Sequence, residues 1–369
     1  MRVFQIGPAG VHESGELPTA ALPGVYVWIA CSREEFKSAQ LSIQAALQSL
    51  SGMQLVDLHV SDLLNQQLPS RFDYTAQYDL LVFRRLATNH GSTVTTGTPP
   101  PVVAAPRRSG PPILRRIDTS PVGFAIFDQV LLTVHPADCA VRASYAAKLL
   151  VAASEQTHGA AARVPTSAPD LMLRIVNQMV DGYLQLRLEL TRQLDHWQAE
   201  LLAPRTRFTN WTALLEARLS LHALDDVCED QRTAMLDWIA GLEAWPPATT
   251  PAAERERDLL KVRSRDVLEH IERVVRHVRR LEQNTETTVQ MHFSAQGNRT
   301  NETMRTLTAL TAIFLPLNLI TGFFGMNFEY LPLIHRQSGL WWAVGLMATV
   351  FAVFVAVFWR KRYLARSAR

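Results

Sequence analysis

Residues 307–324 read LTALTAIFLPLNLITGFF, and residues 340–359 read LWWAVGLMATVFAVFVAVFW. Neither stretch contains a charged residue. A helix of about 20 apolar residues crosses the roughly 30 Å hydrocarbon core of a bilayer. Two such runs in succession are not typical of the core helices of a soluble protein. The sequence therefore predicts two transmembrane helices, at about 304–324 and at 340–359.

Basic residues flank the second run on one side only. Arg360, Lys361 and Arg362 begin the tail 360–369, whereas the connecting loop 325–339 holds Arg336 as its one strong cation. Cytoplasmic segments next to membrane helices are enriched in Lys and Arg, so we expect the tail inside and the loop outside. The first residues, MRVFQIGPAGVHESG, lack the apolar core of a secretory signal. These features predict an inner-membrane protein in contact with lipid, with both termini in the cytoplasm.

The rest of the composition excludes several function classes. The three cysteines lie far apart and form no CxxC or Cys/His spacing, so neither a disulfide framework nor a zinc site is expected. The formal net charge is only +3, and no basic patch is interleaved with aromatic residues, so no nucleic-acid partner is expected. P-loop, GxSxG and HExxH motifs are absent from the sequence. We expect neither an enzyme nor a resident cofactor.

Upstream of the spans, the sequence predicts an α+β cytoplasmic domain over 1–165 and a helical hairpin over 166–251. Alternating or continuous apolar runs predict strands at 25–30, 80–83 and 129–134, and helices at 36–50 and 61–67. The segment 89–121, rich in Pro, Gly, Ser and Thr, is expected to be a flexible insertion. The fold class is therefore an α+β domain, a long helical stalk and two C-terminal transmembrane helices.

The stalk is predicted as one helix over 252–324 that continues into the first span. Apolar residues recur along it at steps of three, four and seven, which favours packing along neighbouring helices: Leu260, Val267, Ile271, Val274, Val278 and Leu281. Polar residues then continue this face toward the membrane and predict a water-filled vestibule: Thr285, Thr288, His292 and Asn301.

One face of the first span is a mostly polar or small stripe, with residues recurring at steps of three and four. The members of this stripe are Thr308, Thr311, Leu315, Asn318 and Gly322. Polar groups in lipid are costly unless they face a bundle interior or water. Because two helices cannot enclose a lumen, any transport function requires several copies of the chain.

A short motif after the first span adds a family resemblance. Gly325, Met326 and Asn327 form a GMN tripeptide, followed by Phe328, Glu329 and Tyr330. Further matching segments are Asn298-Arg299-Thr300-Asn301-Glu302, Phe314-Leu315-Pro316-Leu317, Arg265-Asp266-Val267 and Asp62-Leu63-Leu64-Asn65. In this combination the chain resembles the CorA-type magnesium and cobalt transporters.

The resemblance implies a funnel-shaped homopentamer whose first spans line one central pore. Asn327 would form a ring at the outer mouth that holds a hydrated ion, with Mg²⁺ foremost and Co²⁺ or Ni²⁺ as further substrates. The path inward would be lined by Asn318, Leu315, Leu307, Met304 and Asn301, with Leu307 and Met304 as a hydrophobic gate. The polar stripe favours Thr308 and Thr311 over Leu307, and a slight rotation of the helix decides between them.

Departures from the family pattern bear on ion choice and regulation. Residues 331–334 read LPLI where many members carry a second acid, so Glu329 is the loop's only carboxylate, and cations should be concentrated less strongly at the mouth. Asp266 matches a position of the family's regulatory metal sites, but Arg273, Arg276, Arg279 and Arg280 follow it. A zinc transporter of the ZntB-like branch therefore stays an alternative, and a membrane-anchored cation sensor that conducts nothing is a second.

Overall fold

The fold is described from a computed structural model of the chain, whose residues divide into two compact units, Met1–Glu286 and Thr287–Arg369. The structure describes residues 1–8, 10–20, 22, 24–86, 117–137, 139–156, 164–202, 211–326 and 337–360.

The first unit is built on a seven-stranded sheet with strand order β2-β1-β3-β7-β6-β5-β4. The strands are β1 (Arg2–Gly7), β2 (Gly10–Ser14), β3 (Tyr26–Ser32), β4 (Arg71–Tyr74), β5 (Asp79–Leu86), β6 (Thr119–Ile126) and β7 (Val130–His135). Within this sheet β3 and β7 pair in parallel, and the other neighbours pair antiparallel. Every residue of β3 and of β7 is buried, as expected for central strands with both faces covered.

Eight helices accompany the sheet in the described part of the chain. They are α1 (Arg33–Ser38), α2 (Gln40–Ser51), α3 (Asp57–Leu64), α4 (Ala140–Gln156), α5 (Ala168–Leu202), α6 (Trp211–Ala244), α7 (Pro251–Phe324) and α8 (Gln337–Arg360). The mixed α and β class, the long helix and the second apolar helix confirm the predicted fold class, and the oligomeric state stays a prediction.

Several element boundaries differ from the sequence predictions. The range predicted as one helix at 36–50 holds the end of α1 and most of α2, which meet at Ala39, the C-cap of α1 and the N-cap of α2. Ser32 begins α1 with a capping box to Glu35. The helix predicted at 61–67 is α3, which ends at Leu64 with Asn65 as its C-cap. β6 begins at Thr119, inside the range 89–121 expected for the insertion, and residues 87–116 lie outside the described residues.

The helices α5, α6 and α7 pack through the stripe that the sequence predicts. All six stripe residues of α7, from Leu260 to Leu281, are at most 5% exposed. Trp238 of α6 donates its indole N–H to Ser264 Oγ of α7 at 2.8 Å, and Thr191 of α5 meets His277 of α7 at 2.9 Å. The predicted packing along neighbouring helices is confirmed.

The threonines that follow the stripe are also buried. Thr285 and Thr288 are 4% and 6% exposed, so the prediction that they line a water-filled vestibule is wrong for these two residues. The Thr285 hydroxyl donates to the Leu281 carbonyl at 2.8 Å and therefore needs no water. Both residues instead continue the buried stripe of α7 beyond Leu281, at steps of four and three residues.

A buried polar network lies at the end of β7. The Trp28 indole N–H donates to Thr133 Oγ1 at 2.9 Å, Thr133 Oγ1 lies 2.9 Å from His135 Nε2, and His135 Nδ1 lies 3.3 Å from Cys139 Sγ. Burial, as the largest cause, and the nearby arginine charges, Arg142 first among them, together lower the pKa of His135 from 6.5 to about 3. The imidazole is therefore neutral at physiological pH.

Candidate functional site

Eight residues of α7 form what we term the candidate pore face: Asn301, Met304, Leu307, Thr308, Thr311, Leu315, Asn318 and Gly322. All eight are exposed in the single chain. At 3.6 residues per turn, their positions fall within an arc of roughly 120°. Ala309 and Ile313, on the opposite side of the same helix, are only 1% and 7% exposed. The arc holds Leu307 together with Thr308 and Thr311, and which of them would face a pore stays a prediction.

The hydroxyl groups of this face are already bonded to the helix backbone. Thr308 Oγ1 donates to the Met304 carbonyl at 2.8 Å, and Thr311 Oγ1 donates to the Leu307 carbonyl at 2.9 Å. Each hydroxyl hydrogen is thereby used, whereas the oxygen keeps lone pairs that accept. The threonines therefore present neutral hydrogen-bond acceptors.

Two carboxamides lie on the same face. Within the described residues, the side chains of Asn301 and Asn318 make no hydrogen bond. Asn318 lies inside the apolar run 307–324, where an amide without a partner costs about 2–7 kcal/mol on transfer from water to an apolar medium. A helix that spans a membrane therefore avoids this cost only if the Asn318 side chain faces water or another protein surface.

Large apolar side chains separate the polar positions. Met304 is 60% exposed, Leu307 is 61% exposed and Leu315 is 69% exposed. In a single chain this leaves an apolar surface on the same face as the carboxamides. The face thus alternates acceptors with apolar side chains along the helix axis.

The helix ends where the tripeptide motif begins. The Gly325 N–H donates to the Thr321 carbonyl at 2.9 Å, and the Met326 N–H donates to the Phe323 carbonyl at 3.4 Å. A Cβ atom at Gly325 would lie only 3.0 Å from the Thr321 carbonyl oxygen, so the tight turn favours glycine. Asn327 and Glu329 lie outside the described residues, and their predicted roles at a pore mouth stay predictions.

Two helices of the chain are long and apolar enough to cross a membrane, α7 through its final part and α8 through Leu340–Phe358. Only 11% of the first apolar window and 6% of the second are buried within the chain. The core helix of a soluble protein would be mostly buried. Because these segments are not, the observed exposure fits contact with lipid or with further copies of the chain.

The predicted regulatory residue Asp266 lies in the first unit, apart from the candidate pore face in sequence. Its side chain is 59% exposed, and its Oδ1 lies 3.7 Å from His270 Nε2. Three of the four arginines that follow it are paired with carboxylates, at N–O distances of 2.8 to 3.2 Å: Arg273 with Glu269, Arg276 with Glu272 and Arg279 with Asp225. The region is therefore less positive than the run of arginines suggests.

One set of metal-capable side chains was missed by the reading of the sequence. His59, Asp62 and Asp73 come together between α3 and β4. The spacing of three between His59 and Asp62 on a helix was an available signal. The approach of Asp73 depends on the fold, and no pattern in the sequence indicated it.

Taken together, the mixed α/β unit, the long helix and the two exposed apolar segments define a membrane protein with two C-terminal spans and a polar face on the first of them. A family model described as "CorA-like Mg2+ transporter protein" matches residues 36–362. The chain belongs to this CorA family, which is a family of transporters, and the resemblance predicted from the motif is confirmed.

Individual relatives agree with this assignment. The chain is 32% identical over 100 residues to the cobalt/magnesium transport protein CorA of Thermotoga maritima, and 27% identical over 195 residues to that of Methanocaldococcus jannaschii. These alignments span 27% and 53% of this chain, and 28% and 58% of the two relatives. The complete structure of the CorA magnesium transporter from M. jannaschii matches with a TM-score of 0.69 at 20% identity, covering 100% of this chain and 98% of that one. This likeness shows that the two share a fold.

Proposed function

We propose that several copies of this chain, five by resemblance to the family, assemble around a central pore that conducts divalent cations, with Mg²⁺ foremost, across the inner membrane. The observation that carries the proposal is the candidate pore face. It is exposed in the single chain, and it includes a carboxamide that has no hydrogen-bond partner among the described residues and lies inside an apolar span.

The residue types on this face suit a hydrated ion. Mg²⁺ loses its water reluctantly and is usually bound with several waters in place. Carboxamide and threonine oxygens accept hydrogen bonds from such a water shell without adding charge. Rings of Asn318, Thr311 and Thr308 would therefore guide the ion without holding it tightly.

The apolar members of the face provide a means of closing the path. Rings of Leu307 and Met304 can exclude water from a narrow pore, and a pore without water does not pass ions. We assign the gate to these two residues. In this proposal the gate closes without any ion bound to it.

At the outer mouth, we propose that the ring of Asn327 binds the hydrated ion as it enters. Glu329 adds one carboxylate per subunit to attract cations. On the other side of the membrane, we propose Asp266 as a residue of a regulatory cation site, because its carboxylate is exposed. The tail and the first unit would then both lie in the cytoplasm, as the basic residues after the second span indicate.

The test is an ion flux measurement on purified full-length protein in liposomes, with an entrapped fluorescent indicator. We expect Mg²⁺ uptake in the intact protein and loss of uptake in Asn327→Ala, with an unchanged oligomer size. Thr349→Val is the control, because this hydroxyl lies on α8 and is bonded to the Gly345 carbonyl at 2.8 Å. It should leave the flux unchanged.

Two results would reject parts of the proposal. Normal flux in Asn327→Ala would reject the assignment of the mouth site, and a monomeric particle in detergent would reject the proposed pore. Parallel measurements with Co²⁺, Ni²⁺ and Zn²⁺, with and without a pH gradient, decide between a magnesium channel and a transporter of the zinc branch. A chain that passes none of these ions would be the anchored cation sensor.

A further inference from the structure

A cluster of three metal-capable side chains lies in the first unit. His59 and Asp62 are three residues apart on α3, and Asp73 lies on β4, which is an edge strand of the sheet. One ring nitrogen of His59 and one carboxylate oxygen from each aspartate lie within 4.8 Å of one another. A small closure of the three side chains would bring all three atoms to the same ion.

The His59 ring is buried and held by a contact with Tyr78. It is 7% exposed, and its Nδ1 lies 2.7 Å from the Tyr78 hydroxyl, which also accepts the Val56 backbone N–H at 3.1 Å. Within the described residues Nε2 makes no hydrogen bond. With an ion bound to Nε2, the contact with Tyr78 would hold the ring through Nδ1, which is the arrangement found in protein metal ligands.

Arg71 occupies the space between the two carboxylates. Its Nη2 lies 2.9 Å from Asp62 Oδ2 and also contacts Asp73 Oδ2. The Nε of Arg71 is buried without a hydrogen-bond partner among the described residues, whereas the side chain as a whole is 37% exposed. An ion bound to both carboxylates would therefore have to displace the guanidinium, which makes no hydrogen bond to the imidazole among the described residues.

We propose that His59, Asp62 and Asp73 form a binding site for a first-row divalent transition-metal ion of the Zn²⁺ or Co²⁺ type, with Arg71 as the competing cation of the same chain. One imidazole nitrogen with two carboxylates suits Zn²⁺, Co²⁺ or Ni²⁺, whereas Mg²⁺ prefers oxygen ligands alone. The bound ion would fasten α3 to β4. This site does not depend on the proposed pore, because all its residues belong to the first unit.

The experiment measures Zn²⁺ binding to the full-length protein in detergent by calorimetry, with Co²⁺ absorption as a second readout of nitrogen and oxygen ligands. His59→Asn should weaken Zn²⁺ binding at this site by at least the 10- to 100-fold typical of lost outer-shell partners. His12→Asn is the matched control, since His12 is an exposed histidine on β2, and it should bind as the unaltered protein does.

A second variant separates the site from a structural role. Arg71→Gln removes the competing cation and should strengthen Zn²⁺ binding, which a merely structural arginine would not do. Binding that is no tighter in Arg71→Gln, or equal in His59→Asn and His12→Asn, would overturn the proposal. Neither outcome concerns ion flux, so failure here leaves the proposed pore untouched.

Discussion

Replacing Asn318 by leucine tests what the exposed carboxamide on α7 faces. Asn318→Leu keeps a similar side-chain size and removes both the donor and the acceptor. The two possible surroundings, lipid and water, predict opposite results for the stability of the protein. The substitution therefore reports on the surroundings as well as on the flux.

The size of each effect follows from the exposure of the carboxamide, which makes no hydrogen bond within the part of the chain that the structure describes. If Asn318 faced acyl chains, its removal would stabilise the folded protein by about 2–7 kcal/mol, the cost of an amide without a partner in an apolar medium. If it faces a water-filled pore, we expect a change in stability below about 1 kcal/mol. In that case each hydrogen bond lost between a carboxamide of the ring and the water shell of the ion, at about 1.5–3 kcal/mol for a bond to a charged group, weakens ion binding roughly 10- to 150-fold.

The assay pairs Mg²⁺ flux in liposomes with thermal unfolding in detergent. Thr321→Val is the control, because Thr321 is exposed on α7 outside the candidate pore face and its hydroxyl is bonded to the Asn318 carbonyl at 3.1 Å. We expect at least a tenfold loss of flux in Asn318→Leu and none in Thr321→Val. A more stable Asn318→Leu protein with unchanged flux would place the carboxamide in lipid and refute the reasoning.

Two further predictions concern the gate and the buried histidine. Leu307→Gly should raise the resting conductance, and Leu310→Gly should not. Leu310 is the matched control because it is a 50% exposed leucine outside the face, and its replacement by glycine has the same helical cost of about 1 kcal/mol. Equal conductance in both variants would count against the gate. Because the pKa of His135 is lowered to about 3, the unfolded chain binds a proton below pH 6.5 that the folded chain does not. The free energy of unfolding should therefore fall by about 1.4 kcal/mol for each unit by which the pH is lowered from 6.5 to about 3. Urea unfolding of His135→Asn at several pH values should lack this contribution. The same pH dependence in both proteins would show that His135 does not titrate in this way.

The sequence predicted the sheet only in part. Three of its seven strands were predicted, β3, β5 and β7, whose apolar runs are buried on both faces or nearly so. β2 is short and has no buried residue, and β6 contains Pro121 and Gly123, which disfavour a strand by local propensity. Pairing with β5 and β7 compensates for this. β7 follows directly along the chain, whereas β5 ends at Leu86 and is brought beside β6 only by the fold.

The sequence by itself determined the two membrane spans, the long helix and the polar face of the first span. A span depends on the length and polarity of one continuous segment, and a helix face depends on a period of 3.6 residues, so both are local properties. Only the tertiary structure decided that Thr285 and Thr288 are buried, that Arg279 pairs with Asp225, and that Asp73 reaches His59 and Asp62. Each of these depends on which surfaces meet after folding, and side chains far apart in the sequence come within reach of one another only then.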